Sequence, residues 1–236
     1  MIKNIVSTVT VLASASLLLA GCDQPSAGCI VQDSSSWYAK YDLKEGQTIS
    51  DACRPLVPQG ELVGVFKYVD PEVADSGVLT LRPAALASRS LRDPSFNNPK
   101  EGVYPQTAIA DLESDPDADD FCGTSNWKPA SVTATATSTV AATDISYAYN
   151  NVKVFARPDA PGTQMTGDVS YSRTENGVTC TAQMVMRAMW PAVACNPDNA
   201  DSCGPSARIN PAFAVVCDPV LKYCVPSKPI PSFKDE

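Results

Sequence analysis

Nine cysteines constrain this 236-residue chain more than any other feature, because eight of them form an even set once one is set apart. Cys22 is the one that stands apart. It closes an apolar run from Ile5 to Ala20, diluted by Ser7, Thr8, Thr10, Ser14 and Ser16 and preceded by one cation, Lys3. That run is too short and too polar for a membrane span, which needs about 20 mostly apolar residues, and it has the build of a signal peptide. Behind an export signal cysteines oxidise. Cys29, Cys53, Cys122, Cys180, Cys195, Cys203, Cys217 and Cys224 are therefore expected to form four disulfides, whose wiring parity alone leaves open.

The stretch Leu17-Leu18-Leu19-Ala20-Gly21-Cys22 resembles the lipobox of bacterial lipoproteins. The resemblance implies a diacylglycerol group on the Cys22 thiol and a cut between Gly21 and Cys22. It also implies acylation of the new amino group, with palmitate as the expected chain. Asp23 follows the cysteine, and in enteric members of the family aspartate there retains a lipoprotein in the inner membrane. The expected location is the cell membrane, lipid-anchored on its extracytoplasmic face. Sorting signals differ among bacterial groups, so the choice between inner and outer membrane stays open.

Charge and composition exclude several functions. The chain carries 26 acids against 18 bases, a net charge of −8 that becomes −9 when Lys3 leaves with the signal. An acidic chain lacks the basic stripe that phosphate contacts require, so no nucleic-acid partner is expected, and the lipid must hold the membrane without polybasic help. With no histidine, Ser-His-Asp and Cys-His catalysis are ruled out. No Gly-rich phosphate loop appears, and no cysteine pair has zinc-knuckle spacing. Twenty prolines favour short elements joined by turns over long helices.

The fold class read from the pattern is mainly β: antiparallel hairpins, sandwich-like or in an irregular sheet, stapled by disulfides, with short helical turns and long loops. Four regions are expected. Residues 1–21 form the signal peptide, 22–36 the lipidated N-terminus and a flexible tether, 37–190 the β-rich domain, and 191–236 a cysteine- and proline-rich stapled segment. Within 37–58, Ile49 to Cys53 reads as a helical turn stopped before Pro55, and a Cys29–Cys53 bridge would staple that segment. Glu61–Val69 and Gly77–Arg82 read as strands, with Pro83 opening a short helix over 84–92. Ser131 to Val140 alternates with a period of two.

Two hairpins follow in the reading. A turn at Asn150-Asn151 would set Tyr149 opposite Val152 and Tyr147 opposite Val154. A turn at Asn176-Gly177 would set Arg173 opposite Cys180, Tyr171 opposite Ala182 and Val169 opposite Met184. In the tail, Val216 to Pro226 reads as a hairpin closed by a Cys217–Cys224 bridge. This segment, with Cys195-Asn196-Pro197-Asp198 before it, is similar to cysteine-rich stretches of myxobacterial envelope proteins, which implies an extracytoplasmic setting.

Three constellations bear on chemistry. Asp111, Glu113, Asp115, Asp117, Asp119 and Asp120 alternate as hard oxygen ligands for calcium would, with Asp115, Asp117 and Asp119 the metal candidates. Asp120 stands where an EF-hand needs glycine and Asn126 where it needs a closing Glu, so a solvated acidic loop is the competing reading. Met184, Met186 and Met189, with Met165 earlier, offer soft thioethers for copper(I), yet Met184 and Met186 lie on the apolar strand face, where methionine is ordinary core filler. A carboxylate pair for hydrolysis needs only two acids at the right separation, and nothing singles one out. The expected function is a lipid-anchored envelope lipoprotein with a structural or interaction role, no catalysis and no cofactor. Its expected partners are the membrane, through Cys22, and other envelope proteins. A calcium- or small-ligand-binding lipoprotein and a carboxylate-dependent hydrolase are the alternatives.

Overall fold

The computed structural model describes residues 28–69, 77–96 and 104–235. The segment expected to be the signal peptide, with Gly21 and Cys22, lies outside the described residues.

The inner-face pattern of the first strand sets the architecture. In β1 (Ser34–Leu43), Trp37, Ala39 and Tyr41 are buried one after another along one face. Lys40 and Asp42 stay on the other, the period of two that a half-buried strand requires. The same logic builds β2 (Gly60–Val69), β3 (Gly77–Pro83), β4 (Ala108–Leu112), β5 (Phe121–Lys128), β6 (Ala130–Ala134), β7 (Thr143–Phe155), β8 (Gln164–Glu175) and β9 (Val178–Met189). These nine make one antiparallel sheet in the order β5-β4-β3-β2-β1-β9-β8-β7-β6, and an additional β5–β7 pairing joins its flanks. Eight strands thus close into a ring, with β6 laid on the first half of β7. Closure removes the free edges that an open sheet would present. An eight-stranded barrel is just wide enough to be filled by side chains, and Trp37, Val65, Leu79, Leu81, Tyr147, Met165, Met184 and Met186 fill this one.

The mainly-β, disulfide-stapled class holds, and its form is a single closed sheet rather than a sandwich. Glu61–Val69 and Gly77–Arg82 are strands as read. Pro83 is followed by a one-turn helix, α1 (Ala84–Ala87), and a 3₁₀ turn over Ser90–Arg92. The Asn176-Gly177 hairpin has the expected register: Arg173 opposes Cys180, Tyr171 opposes Ala182 and Val169 opposes Met184. Asn176 and Gly177 both have positive φ, the conformation a two-residue turn of matching twist demands.

Four expectations fail for identifiable reasons. Asn150-Asn151 is a bulge inside β7, not a turn: the register with β8 shifts between Asn150 and Lys153, and Asn151 sits at φ +50. Asparagine tolerates that left-handed conformation in a bulge as well as in a turn, so the residue type does not separate the two. The alternation over 131–140 yields a strand only to Ala134, after which the Thr137 amide bonds the Val140 carbonyl in a tight loop. The segment 37–58 opens with seven residues of β1, and only 44–59 forms the loop carrying the turn at Ser50 to Val57.

The fourth concerns the disulfides, which join Cys29 to Cys122, Cys53 to Cys180, Cys195 to Cys217 and Cys203 to Cys224. A Cys29–Cys53 bridge is impossible because the two lie at opposite ends of the barrel. Cys29 donates its amide to Ser114 beside the start of β5, whereas Cys53 sits in the loop beyond Leu43, about 30 Å away along a ten-residue strand. The first end is called basal below and the second distal. The C-terminal hairpin does form, as β10 (Val215–Cys217) and β11 (Cys224–Pro226) with Cys217 opposite Cys224. Those two are already held by the ladder, and their sulfurs instead bind Cys195 and Cys203, in a stretch with no ladder of its own.

Residues 191–235 pack on the outside of the barrel. Phe213, Phe233, Ile209 and Ile230 cover Phe155 and Met189 in a second apolar cluster. Tyr223 stacks on the outward Tyr38 at 4.1 Å, and Arg187 reaches the Pro226 and Lys228 carbonyls. Gln164, buried in the wall, exchanges two hydrogen bonds with the Ser232 main chain. The tether expected over 22–36 overlaps the described residues from Gly28, where Cys29 and Val31 are buried and β1 begins at Ser34. Gly162, at φ +60, lets this segment lie flat on the wall, since a Cβ there would collide with the Ile30 carbonyl.

Candidate functional site

Near the distal end one carboxylate stands inside the wall. Glu61 follows Gly60 on β2, and the pairing of Ala39 with Glu61 aims it inward beside Tyr41 of β1. Its Oε1 accepts the Tyr147 hydroxyl at 2.6 Å and the Tyr41 hydroxyl at 3.4 Å, and its Oε2 accepts the Ala85 amide at 2.7 Å. A single side chain so ties three strands to the first turn of α1. Burial pushes the Glu61 carboxyl up, against the lowering effect of those hydrogen bonds and of the Arg89 guanidinium. Tyr147 stacks near Tyr149 and meets Tyr171 edge-on at 4.9 Å. Burial raises the phenols in turn: Tyr171 to about 12, and Tyr41, Tyr147 and Tyr149 well above the usual value. The Tyr149 hydroxyl faces that of Tyr41 without a hydrogen bond of good geometry.

This cluster lies beside a mouth. Tyr41 and Met184 form part of a cavity of about 500 Å³, capped by Ile49, Arg54, Val57 and Pro58 of the 44–59 loop. The loop is pinned by the Cys53–Cys180 disulfide and by the Tyr171 hydroxyl, which donates to the Leu56 carbonyl at 2.9 Å. The lining of the cavity is mixed, with Asp42, Thr48, Arg54 and Gln59 beside Leu43, Ile49 and Val57, in the mouth of a barrel where small-ligand pockets commonly lie. The alternation of Trp37, Ala39 and Tyr41 and of Tyr147 and Tyr149 is the one signal from which a buried ring cluster could have been read. Nothing in the sequence around Glu61 signalled that this acid would face inward.

The acidic segment runs from β4 to the start of β5 at the basal end, and four of its carboxylates bond groups of the neighbouring chain. Asp117 accepts the amides of Asp119 and Phe121, both at 2.9 Å, and pairs with Lys153. The Phe121 amide is foremost in holding its carboxyl below the usual range. Glu113 accepts the Gly123 amide, Asp111 the Asn126 side chain, and Asp115 the Ser114 hydroxyl. Asp119 and Asp120 shape the turn rather than converge with Asp115 and Asp117 on a common point. Among the described residues the one grouping of three ligand-type side chains is Cys195, Cys203 and Cys217, whose sulfurs are already bound in disulfides. Met165, Met184 and Met186 fill the barrel core, and Met189 packs in the outer cluster.

A closed, disulfide-stapled β-barrel with a docked cysteine-rich tail is the class these features define, and comparison with known proteins places it. A family model described as MlpA matches residues 35–191, which runs from the second residue of β1 to just past the end of β9 and so covers the whole barrel. A Myxococcus xanthus protein named "Putative lipoprotein MlpA" is 42% identical over 246 residues, spanning 99% of this chain and 100% of the relative. The chain belongs to the MlpA family, and its resemblance to myxobacterial cysteine-rich lipoproteins holds. No solved structure matches it.

Proposed function

We propose that the protein is a lipid-anchored envelope lipoprotein whose barrel is a rigid interaction module held close to the membrane through Cys22. The observation that supports this reading most directly is where the folded chain begins. Cys29 is fixed to Cys122 at the basal end, and the seven residue-to-residue steps from Cys22 to Cys29 span at most about 25 Å. A lipid on Cys22 therefore keeps the basal end near the bilayer and turns the distal mouth outward. Four disulfides suit an oxidising extracytoplasmic setting. Glu61 is surrounded by tyrosines with no second acid among the groups that set its acidity, which favours a binding or structural role over carboxylate-pair hydrolysis. The distal cavity favours a second reading, a small-ligand-binding lipoprotein. The calcium reading draws no support from Asp115, Asp117 and Asp119, which do not gather as a ligand group.

Cys22→Ser tests the anchor. The variant is expected to leave the membrane fraction entirely for the soluble extracytoplasmic fraction, since no basic patch replaces the lipid. Continued membrane residence of the variant would contradict the reading.

A further inference from the structure

A second concavity lies on the outer face of β2, β3 and β4, away from both barrel ends. Phe66, Tyr68, Thr80, Arg82, Tyr104, Thr107 and Ile109 line a groove of about 310 Å³. Register explains how it forms. Gly64 opposes Arg82, and Phe66, Thr80 and Ile109 follow one another across the three strands. With no side chain at Gly64, the Phe66 ring leans over that position beside the Arg82 stem: a Cβ there would lie 3.4 Å from the ring. Tyr104 is braced by Phe96 at 5.8 Å. Both tyrosines keep open faces, Tyr68 being 58% and Tyr104 43% exposed.

Arg82 is the unusual member. Its Nε is buried without a hydrogen-bond partner, and none of its nitrogens makes a hydrogen bond or ion pair with the described residues. Lys128, Arg208 and Lys222, the other described cations without such a contact, are exposed, whereas Arg82 is half-buried in a protein with a surplus of acids. A desolvated guanidinium N–H left unpaired is costly and calls for an acceptor, best a carboxylate that takes two N–H groups at once. Among the described residues the acid on this face of the three strands is Asp111, which is opposite Val78, about 13 Å along β3 from Arg82, and is engaged by Asn126.

We propose that this groove binds a saccharide bearing a carboxylate, with Arg82 as its anion partner and the rings of Tyr68, Tyr104 and Phe66 as its stacking faces. The negative face of an aromatic ring attracts the polarised C–H groups of a pyranose, and Thr107 supplies a hydroxyl at the side, the Thr80 hydroxyl being spent as a donor on the Phe66 carbonyl. Because β2, β3 and β4 spend their backbone groups on one another, the groove offers no strand edge on which a peptide could add as a further strand. The saccharide names the partner class for the interaction module proposed above. Its test is run in solution, so failure of the groove and failure of the anchor are read separately.

The experiment is calorimetric titration of the full-length protein in detergent with tetragalacturonate, with neutral maltotetraose and acetate as comparisons. Binding of tetragalacturonate is expected, at least about tenfold tighter than maltotetraose. Arg82→Gln should weaken it about tenfold or more, the loss of a charge-assisted hydrogen bond. Tyr68→Ala, at an exposed position that leaves the barrel folded, should weaken it comparably. Absence of binding, equal affinity for the neutral sugar, equally good displacement by acetate, or affinity unchanged in both variants would each overturn the proposal.

Discussion

Replacing Cys53 and Cys180 together by alanine is expected to lower the unfolding free energy by about 5 kcal/mol, and replacing Cys195 and Cys217 by only about 3. The ordering follows from chain length. The first bridge joins residues 127 apart and the second residues 22 apart, and a cross-link removes more unfolded-state entropy the longer the loop it closes. The long bridge also pins the 44–59 loop over the distal mouth, together with the Tyr171 hydroxyl on the Leu56 carbonyl and the backbone turns at Ser50 and Cys53. Guanidinium unfolding without reductant measures both. Equal losses, or a loss below about 1 kcal/mol for the long bridge, would contradict this account.

Glu61→Leu is expected to cost about 2 to 4 kcal/mol, because it strands the Tyr147 hydroxyl and the Ala85 amide, each about 1 to 3 kcal/mol when left unsatisfied, and frees α1 from β2. Glu61→Gln should cost less, since the Tyr147 hydroxyl can turn to accept from the amide. The glutamine variant also carries a pH signature. Burial raises the folded-state pKa of Glu61 above its unfolded value, so the native state holds the proton more tightly. The stability contributed by that protonation is fully present below the unfolded value, near 4.5, and is lost as pH rises through the higher folded value. Wild type minus Glu61→Gln stability should therefore fall over that window. The lowered carboxyls of Asp117, Asp168 and Asp218 act in the opposite direction, but they are common to both proteins and cancel in the difference. Denaturation midpoints across the acid range check the sign, and a difference that rises with pH would refute the assignment.

What could be read in advance followed local chemistry. Strands β2 and β3, the helix after Pro83 and the Asn176-Gly177 hairpin were legible because turn residue and alternation agree there. The same asparagine chemistry misled at Asn151, where a bulge lets β7 pair with β6 on one half and β5 on the other; only the partner strands decide between bulge and turn. Ring closure and disulfide wiring are likewise long-range: nothing near Cys29 encodes its distance from Cys53 or its nearness to Cys122. Glu61 escaped notice because an isolated acid at a strand start looks solvated until Tyr147, 86 residues away, arrives over it. Arg82 escaped for the opposite reason, since what marks it is the lack of a partner.

The central claim is a lipid-anchored barrel with every mature cysteine but Cys22 in a disulfide. The intact mass of the membrane-extracted protein, alkylated before and after reduction, tests it most directly. The account predicts a chain beginning at a lipid-modified Cys22, with no thiol alkylated before reduction and eight alkylated after it. An unmodified or missing Cys22, or two or more thiols that alkylate without reduction, would contradict it.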